Sequence, residues 1–278
     1  MVLLPGTNIV VDGFKYTSRL ESPHYIFFLT HYHSDHYSGL SNTWSRGPIY
    51  CSQKTADLLK LEFFGLDCVI PLEFDEVHWI YLDNRRTKGV EVTLIDANHC
   101  PGSAMLLFKG EMGNYLHTGD FRFCPEMLEH PALLDSAKQI IPIDHLFLDN
   151  TFARPDYCFP PREECFQQIV SVIEKNSESN VWLSIDNFGR EELLLELAKK
   201  FKTLAVVSPR MYSRIETLGL EPEYFSTNED DGWIKAVSKA EMKEIPYKNT
   251  QQETIGIYLS GWNKKYFQQG KWIYVSSS

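Results

Sequence analysis

Leu29-Thr30-His31-Tyr32-His33-Ser34-Asp35-His36 is the stretch on which the reading of this chain turns. It follows directly on His24-Tyr25-Ile26-Phe27-Phe28-Leu29, a continuous apolar run of the kind a strand buried on both faces requires. Four potential metal ligands, His31, His33, Asp35 and His36, therefore stand where a buried strand runs out into a loop. Side chains two apart on an extended chain point the same way, so His31 and His33 can face one point, with Asp35 and His36 reaching a neighbouring one. Imidazole and carboxylate donors of this kind suit zinc or a similar divalent ion. Three of the nine histidines fall within this stretch, which sets it apart from a polar loop with chance histidines.

Working outward, Val90-Glu91-Val92-Thr93-Leu94-Ile95 alternates and is β-branched, and predicts a strand. Ala104 to Phe108, Asn114 to His117 and His145 to Leu148 predict three more, with Gly102-Ser103 and Lys109 to Gly113 as turns. His99 and Asp120 each come just past such a strand, as His31 does, so loops at one sheet edge can converge on one ion. Taken singly, His99 reads as a buried histidine bonded to backbone, and Asp120, after Gly119, as a turn residue. Their weight comes from appearing together with the cluster.

Composition bounds the rest. The chain has 278 residues, 43% hydrophobic and 23% charged, which suits one or two globular domains. Its formal charge of −10 excludes a general basic footprint, so any nucleic-acid contact must be a local patch. The apolar N-terminus lacks a basic n-region and is interrupted by Pro5, Gly6 and Asp12, and no apolar run approaches a spanning helix, so no membrane partner is expected. The six cysteines form no CxxC pair and read as reduced thiols of an intracellular protein, mostly small core residues.

After Pro160-Pro161 the chain reads as more helical. Helices are expected from Arg162 to Asn176 and from Arg190 to Lys202, with strands over Asn180 to Ile185, Thr203 to Val207 and Thr254 to Leu259. The halves meet between Arg154 and Pro161.

The motifs His31 to His36, Asp96-Ala97-Asn98-His99-Cys100-Pro101-Gly102-Ser103, His117-Thr118-Gly119-Asp120-Phe121-Arg122 and Phe147-Leu148-Asp149-Asn150-Thr151-Phe152 together resemble the metallo-β-lactamase superfamily. More narrowly they resemble the DNA cross-link repair nucleases of the Artemis–Apollo group, and most closely its 5′-exonuclease members. Val10 to Phe14 and Ile49 to Ser52 share that likeness. The resemblance implies an α/β fold: a metallo-β-lactamase αββα sandwich over residues 1–153, and a β-CASP α/β insertion over 154–278. It implies that His31, His33, His99 and Asp120 hold a first Zn2+, and that Asp35 and His36, with Asp120 bridging, serve a second. Asp12, Asp35 and Asp149 are the acids it assigns to the catalytic site, Asp12 as an anchor behind the ligands and Asp149 as the acid opening the β-CASP region. The implied chemistry is phosphodiester hydrolysis by metal-activated water, 5′ to 3′ on DNA, in nuclear DNA repair, interstrand cross-link repair and telomere end processing. The implied partner is single-stranded or 5′-phosphorylated DNA.

Asn187-Phe188-Gly189-Arg190-Glu191 resembles a family segment Ser-x-Gly-Lys-Glu, and Leu259-Ser260-Gly261-Trp262 a Pro-Thr-Gly-Trp motif. Arg190, at a helix start, and Ser260 are thus candidates to hold a terminal phosphate, with an ordinary solvated first turn as the other reading of Arg190. Seven lysines against three acids between Lys235 and Lys271 read as a soluble face rather than a nucleic-acid patch, and Tyr266, Phe267, Trp272 and Tyr274 as core. The chain departs from the family in one respect. No histidine follows His145, and the sequence ends where the segment returning to the first domain, with the last metal-ligand histidine, would begin, so the second site is expected to be incomplete. Two alternatives remain: another hydrolase of the same fold, such as a β-lactamase, and a relative that binds without catalysis.

Overall fold

The computed structural model describes residues 2–20, 24–185, 188–243, 253–261, 267–269 and 272–276. Two compact units divide at Thr151 and Phe152.

The first unit is built on two sheets. One runs in order β1 (Val2–Leu3), β2 (Ile9–Val11), β3 (Ile26–Phe28), β4 (Ile49–Ser52) and β5 (Val69–Leu72). β2 to β5 are parallel, and β1 pairs antiparallel with β2. β3, the strand that feeds the histidine cluster, lies between two neighbours and is buried throughout, as its unbroken apolar run requires. The other sheet has the order β10-β9-β8-β7-β6, from β6 (Val77–Tyr81), β7 (Gly89–Asp96), β8 (Ala104–Gly110), β9 (Gly113–His117) and β10 (His145–Phe147). Ile9, Val11, Ile26 and Phe28 of the first sheet pack against Val90, Val92, Leu94, Leu106 and Phe108 of the second in one core. The outer layers are unequal. α1 (Ser34–Tyr37) is a single turn, and α2 (Gln53–Glu62) buries Ala56, Leu58 and Leu59. The outer face of the second sheet is covered by the 3₁₀ turns Pro125–Glu129 and Pro131–Leu133, whose Met127 and Leu133 meet Ile95, Met105 and Leu107.

Reading the first half as strands and loops alone misses α2, whose start is marked by Ser52 accepting a hydrogen bond from the Thr55 N–H. It also misses β6, where alternation is present but inverted: Val77, Trp79 and Tyr81 are exposed and only Ile80 is buried.

The second unit corrects the helical expectation for the second half. Its centre is a seven-stranded sheet in order β13-β12-β14-β11-β15-β17-β16. The strands are β11 (Asn180–Ser184), β12 (Ala205–Val206), β13 (Phe225–Ser226), β14 (Ile234–Val237), β15 (Thr254–Ser260), β16 (Phe267–Gln269) and β17 (Trp272–Ser276). All pair in parallel except β16 with β17. α3 (Arg162–Lys175), α4 (Glu191–Phe201), α5 (Pro209–Thr217) and the short α6 (Lys239–Met242) complete it. Ile169, Ile173, Leu194, Leu197 and Ile215 of the helices pack on Val181, Leu183, Ile234 and Ile257 of the sheet. Several of these strands are two to four residues long, too short for a period to register in sequence. Lys248, Lys264, Lys265, Tyr266 and Lys271 lie outside the described residues, as do the side chains of Phe267, Trp272 and Tyr274.

Leu106 is fully buried on the central strand of the second sheet, in the core between the two sheets. Leu106→Ala is expected to cost about 2–5 kcal/mol, read as a lowered urea midpoint.

Candidate metal centre

His31, His99 and Asp120 leave β3, β7 and β9 at the same end of the first unit, and local bonds fix each departure. Arg122 N–H donates to Ala97 O at 2.9 Å and Asn98 Nδ2 to Arg122 O at 3.2 Å, so the loops after β7 and β9 are stitched together. The Ser103 hydroxyl accepts from the His99 and Cys100 N–H groups, each at 3.2 Å, closing the turn that presents His99. That turn rests on α2: Ser52 Oγ donates to Gly102 O at 2.6 Å, and a Cβ on Gly102, at φ +82°, would lie 2.8 Å from Lys54 Cβ. Gly119 has φ +56°, and a Cβ there would come within 2.9 Å of Thr30 Cβ. Only glycine combines that backbone with that approach, which brings Asp120 up to the histidines.

The donors converge. His31 Nε2 lies 2.9 Å from His33 Nδ1, and His99 Nε2 lies 3.2 Å from the same atom. Asp120 Oδ2 is 3.9 Å from both His31 Nε2 and His99 Nε2. One ligand atom from each of His31, His33, His99 and Asp120 falls within 4.8 Å of the others. A tetrahedral ion with bonds near 2.0–2.1 Å holds its ligands about 3.3–3.4 Å apart, and the observed separations bracket that figure. The residues therefore fit a divalent ion such as zinc in geometry and in donor type.

Beside it, His36 Nε2 lies 3.4 Å from Asp120 Oδ1 and 3.7 Å from Asp35 Oδ2. Asp120 thus turns one oxygen to each group. Asp12 stands behind: its Oδ2 is 2.9 Å from His36 Nδ1, and its Oδ1 accepts from the Thr30 N–H at 2.9 Å. Asp149 is adjacent rather than inside. Its N–H donates to Thr118 Oγ1 at 2.9 Å, and its carboxylate accepts from Thr151 N and Oγ1.

Electrostatics agree with the donor roles. Burial, and then the other imidazoles, hold His31 far below the usual histidine range, and burial and His33 bring His99 down to about 4. Both rings are therefore neutral near pH 7, as ligands must be. Burial works against the charge of His36, but hydrogen bonds to Asp12 and Asp120 outweigh it and raise this ring to about 10. Burial pushes the Asp120 carboxyl up, yet the hydrogen bond from His36 and the surrounding imidazoles hold it below its ordinary value. A bound cation replaces that proton as the carboxylate's partner.

In the second unit, Arg190 stands at the N-cap position of α4 without a side-chain capping bond, and its Nη1 donates to Leu259 O at 2.9 Å, which brings Arg190 next to Ser260 at the end of β15. Asn187 and Trp262 of the same motifs lie outside the described residues. Glu191, next to Arg190, is fully buried. Its Oε2 accepts from the Gly189 N–H at 2.8 Å, and its Oε1 has no hydrogen-bond partner among the described residues. Sequence reasoning assigned no role to Thr30 or Ser52, and gave Ser103 and Gly119 only places in turns. For Gly102 and Gly119 the signal was the glycine itself, standing three residues from His99 and one from Asp120.

Two facing sheets with these side chains at their strand ends define a metallo-β-lactamase-like protein with a His–Asp cluster that fits a metal ion. The chain is 43% identical over 260 residues to "5′ exonuclease Apollo" of Mus musculus, covering 92% of this chain and 47% of that protein. It is 43% identical over 262 residues to the Gallus gallus protein of the same name, covering 93% and 54%. It is 33% identical over 254 residues to "DNA cross-link repair 1A protein" of Homo sapiens, covering 89% and 23%. The chain belongs to the Artemis–SNM1–Apollo group of DNA cross-link repair proteins, and spans about half the length of the Apollo relatives it matches. No family model matches it. A solved structure of a protein of unknown function from Enterococcus faecalis V583 shares the fold, with a TM-score of 0.55 at 17% identity over 86% of this chain and 63% of that one. Among the described residues, no helix is long and apolar enough to cross a membrane.

Zn2+ at a hundred times its dissociation constant is expected to stabilise the chain by about 2.7 kcal/mol, in a shift that EDTA reverses and His33→Ala abolishes, measured by urea denaturation. Glu191 gives a second expectation. Burial pushes its carboxyl up, so the folded chain keeps a proton that the unfolded chain releases, and stability falls as pH rises through the ordinary glutamate value. Glu191→Gln has no proton to lose there, so its stability advantage over the parent is expected to grow from pH 4 to pH 7 in urea titrations.

Proposed function

We propose that this chain is a zinc-dependent DNA nuclease that hydrolyses phosphodiesters from a 5′ end, acting in interstrand cross-link repair and telomere end processing in the nucleus. The observation that carries the proposal is the two-sided placement of Asp120, with Oδ2 toward His31 and His99 and Oδ1 toward His36. A carboxylate so placed suits two neighbouring cation positions, the arrangement phosphodiester chemistry uses to steady both the attacking and the leaving oxygen. A divalent ion bound there supplies Lewis acidity, acidifying a water and offsetting phosphate charge. The protein's own residues do the rest: His31, His33 and His99 fix the first position, and Asp35, His36 and Asp120 contribute to the second. Asp12 anchors two of these elements from behind, through Thr30 and His36. The half-buried Asp149 adds negative charge beside His99. Residues 1–153 constitute the metal-binding domain and 154–278 the β-CASP domain, in which Arg190 and Ser260 receive the terminal phosphate. The names of the Apollo and cross-link repair relatives support the choice of DNA over the substrates of other hydrolases with this fold.

A second reading has one observation in its favour. Among the described residues, the second cation position draws on a single histidine, His36. This reading gives a relative that keeps the fold and a partial site for binding, without catalysis. Zinc-loaded protein incubated with 5′-phosphorylated single-stranded DNA is expected to shorten it from the 5′ end, and Asp120→Asn to slow this at least about 100-fold, followed on sequencing gels. One bound zinc by elemental analysis with no turnover would establish the second reading instead.

A further inference from the structure

Thr30 lies between Asp12 and His31 and is 1% exposed. Its N–H donates to Asp12 Oδ1, its carbonyl accepts from the Ala104 N–H at 2.9 Å, and its side chain fills the space that a Cβ on Gly119 would need. Its hydroxyl has two neighbours: Asp12 Oδ2 at 2.7 Å and His31 Nδ1 at 2.9 Å. A hydroxyl has one hydrogen to give, and a carboxylate only accepts. The shorter, charge-assisted bond to Asp12 takes that hydrogen. The Thr30 oxygen is then left with lone pairs facing His31 Nδ1, which must supply the hydrogen of the second bond. An imidazole with its hydrogen on Nδ1 carries its lone pair on Nε2, the atom that lies 2.9 Å from His33 Nδ1 within the four-residue cluster. Asp12 treats His36 in the same way without an intermediary, since its Oδ2 is 2.9 Å from His36 Nδ1 and the far nitrogen faces Asp120.

We infer that Thr30 is a positioning residue that fixes the tautomer of His31, so that one carboxylate, Asp12, orients a ligand ring at each of the two neighbouring cation positions, His36 directly and His31 through the Thr30 hydroxyl. The inference rests on the metal-binding reading of this site and adds to it the group that sets the first ligand. Outer hydrogen bonds of this kind are worth about 10–100-fold in metal affinity.

The test uses the full chain, metal-free at neutral pH, with 15N-labelled histidine. Two-bond 15N–1H correlation spectra are expected to show His31 protonated at Nδ1 in the parent and in Thr30→Ser. Thr30→Val keeps the branched Cβ that packs against Gly119 and loses only the hydroxyl. It is expected to shift His31 toward the Nε2-protonated form and to weaken Zn2+ binding about 10–100-fold in chelator competition, with Thr30→Ser restoring it. The parent spectrum needs no variant to fold: Nε2-protonated His31 there overturns the inference. So does a Thr30→Val protein with unchanged tautomer and zinc affinity. Because the spectra are read without metal or DNA, loss of this inference is distinguishable from loss of the nuclease proposal, which fails on turnover alone.

Discussion

The hydrogen bond from the Ala104 N–H to the Thr30 carbonyl joins the end of one sheet's strand to the start of the other's, at the edge where the ligands gather. The cluster depends on that junction. β3 delivers His31 and His33, and β7, β8 and β9 with their loops deliver His99 and Asp120, so two independently hydrogen-bonded sheets must keep a fixed offset for the donors to meet. The apolar faces packed between the sheets supply the driving force, and the Thr30–Ala104 bond and the stitching of Ala97 to Arg122 set the registration. Nitrogen atoms 2.9 and 3.2 Å apart with lone pairs in common cause are unfavourable neighbours unless a proton or a cation stands between them. The surrounding scaffold holds them there.

The same logic explains where glycines and small hydroxyl residues occur. Gly119 and Gly102 are required where backbone passes against Thr30 and Lys54. Ser52, Ser103 and Thr118 each satisfy backbone groups in the turns that carry ligands or Asp149. None of these residues touches the ion position, and each limits how far a ligand can wander. The result is a site mounted on loops that are hydrogen-bonded to one another and to the strand ends beneath.

Much of the site was legible beforehand because its chemistry is concentrated. His31, His33, Asp35 and His36 fall within six positions, so the chain itself holds them near one another. His99 and Asp120 were legible as strand-end residues but carried weight only in company. The second unit was less legible. Its parallel strands β12, β13 and β14 are short, and short strands carry no measurable alternation, so the helices, with their longer apolar stripes, dominated the reading of that half.

The sequence by itself determined the donor types, the order in which they leave the strands, and the buried character of β3, because those follow from residue identity and from patterning along the chain. Tertiary structure alone decided which oxygen of Asp120 faces which group, that Asp12 reaches His31 through Thr30, and that Asp149 accepts from its own turn rather than joining the four. Those outcomes depend on distances of a few tenths of an ångström between segments far apart in the chain, and they are fixed by how two sheets pack, which no local pattern records.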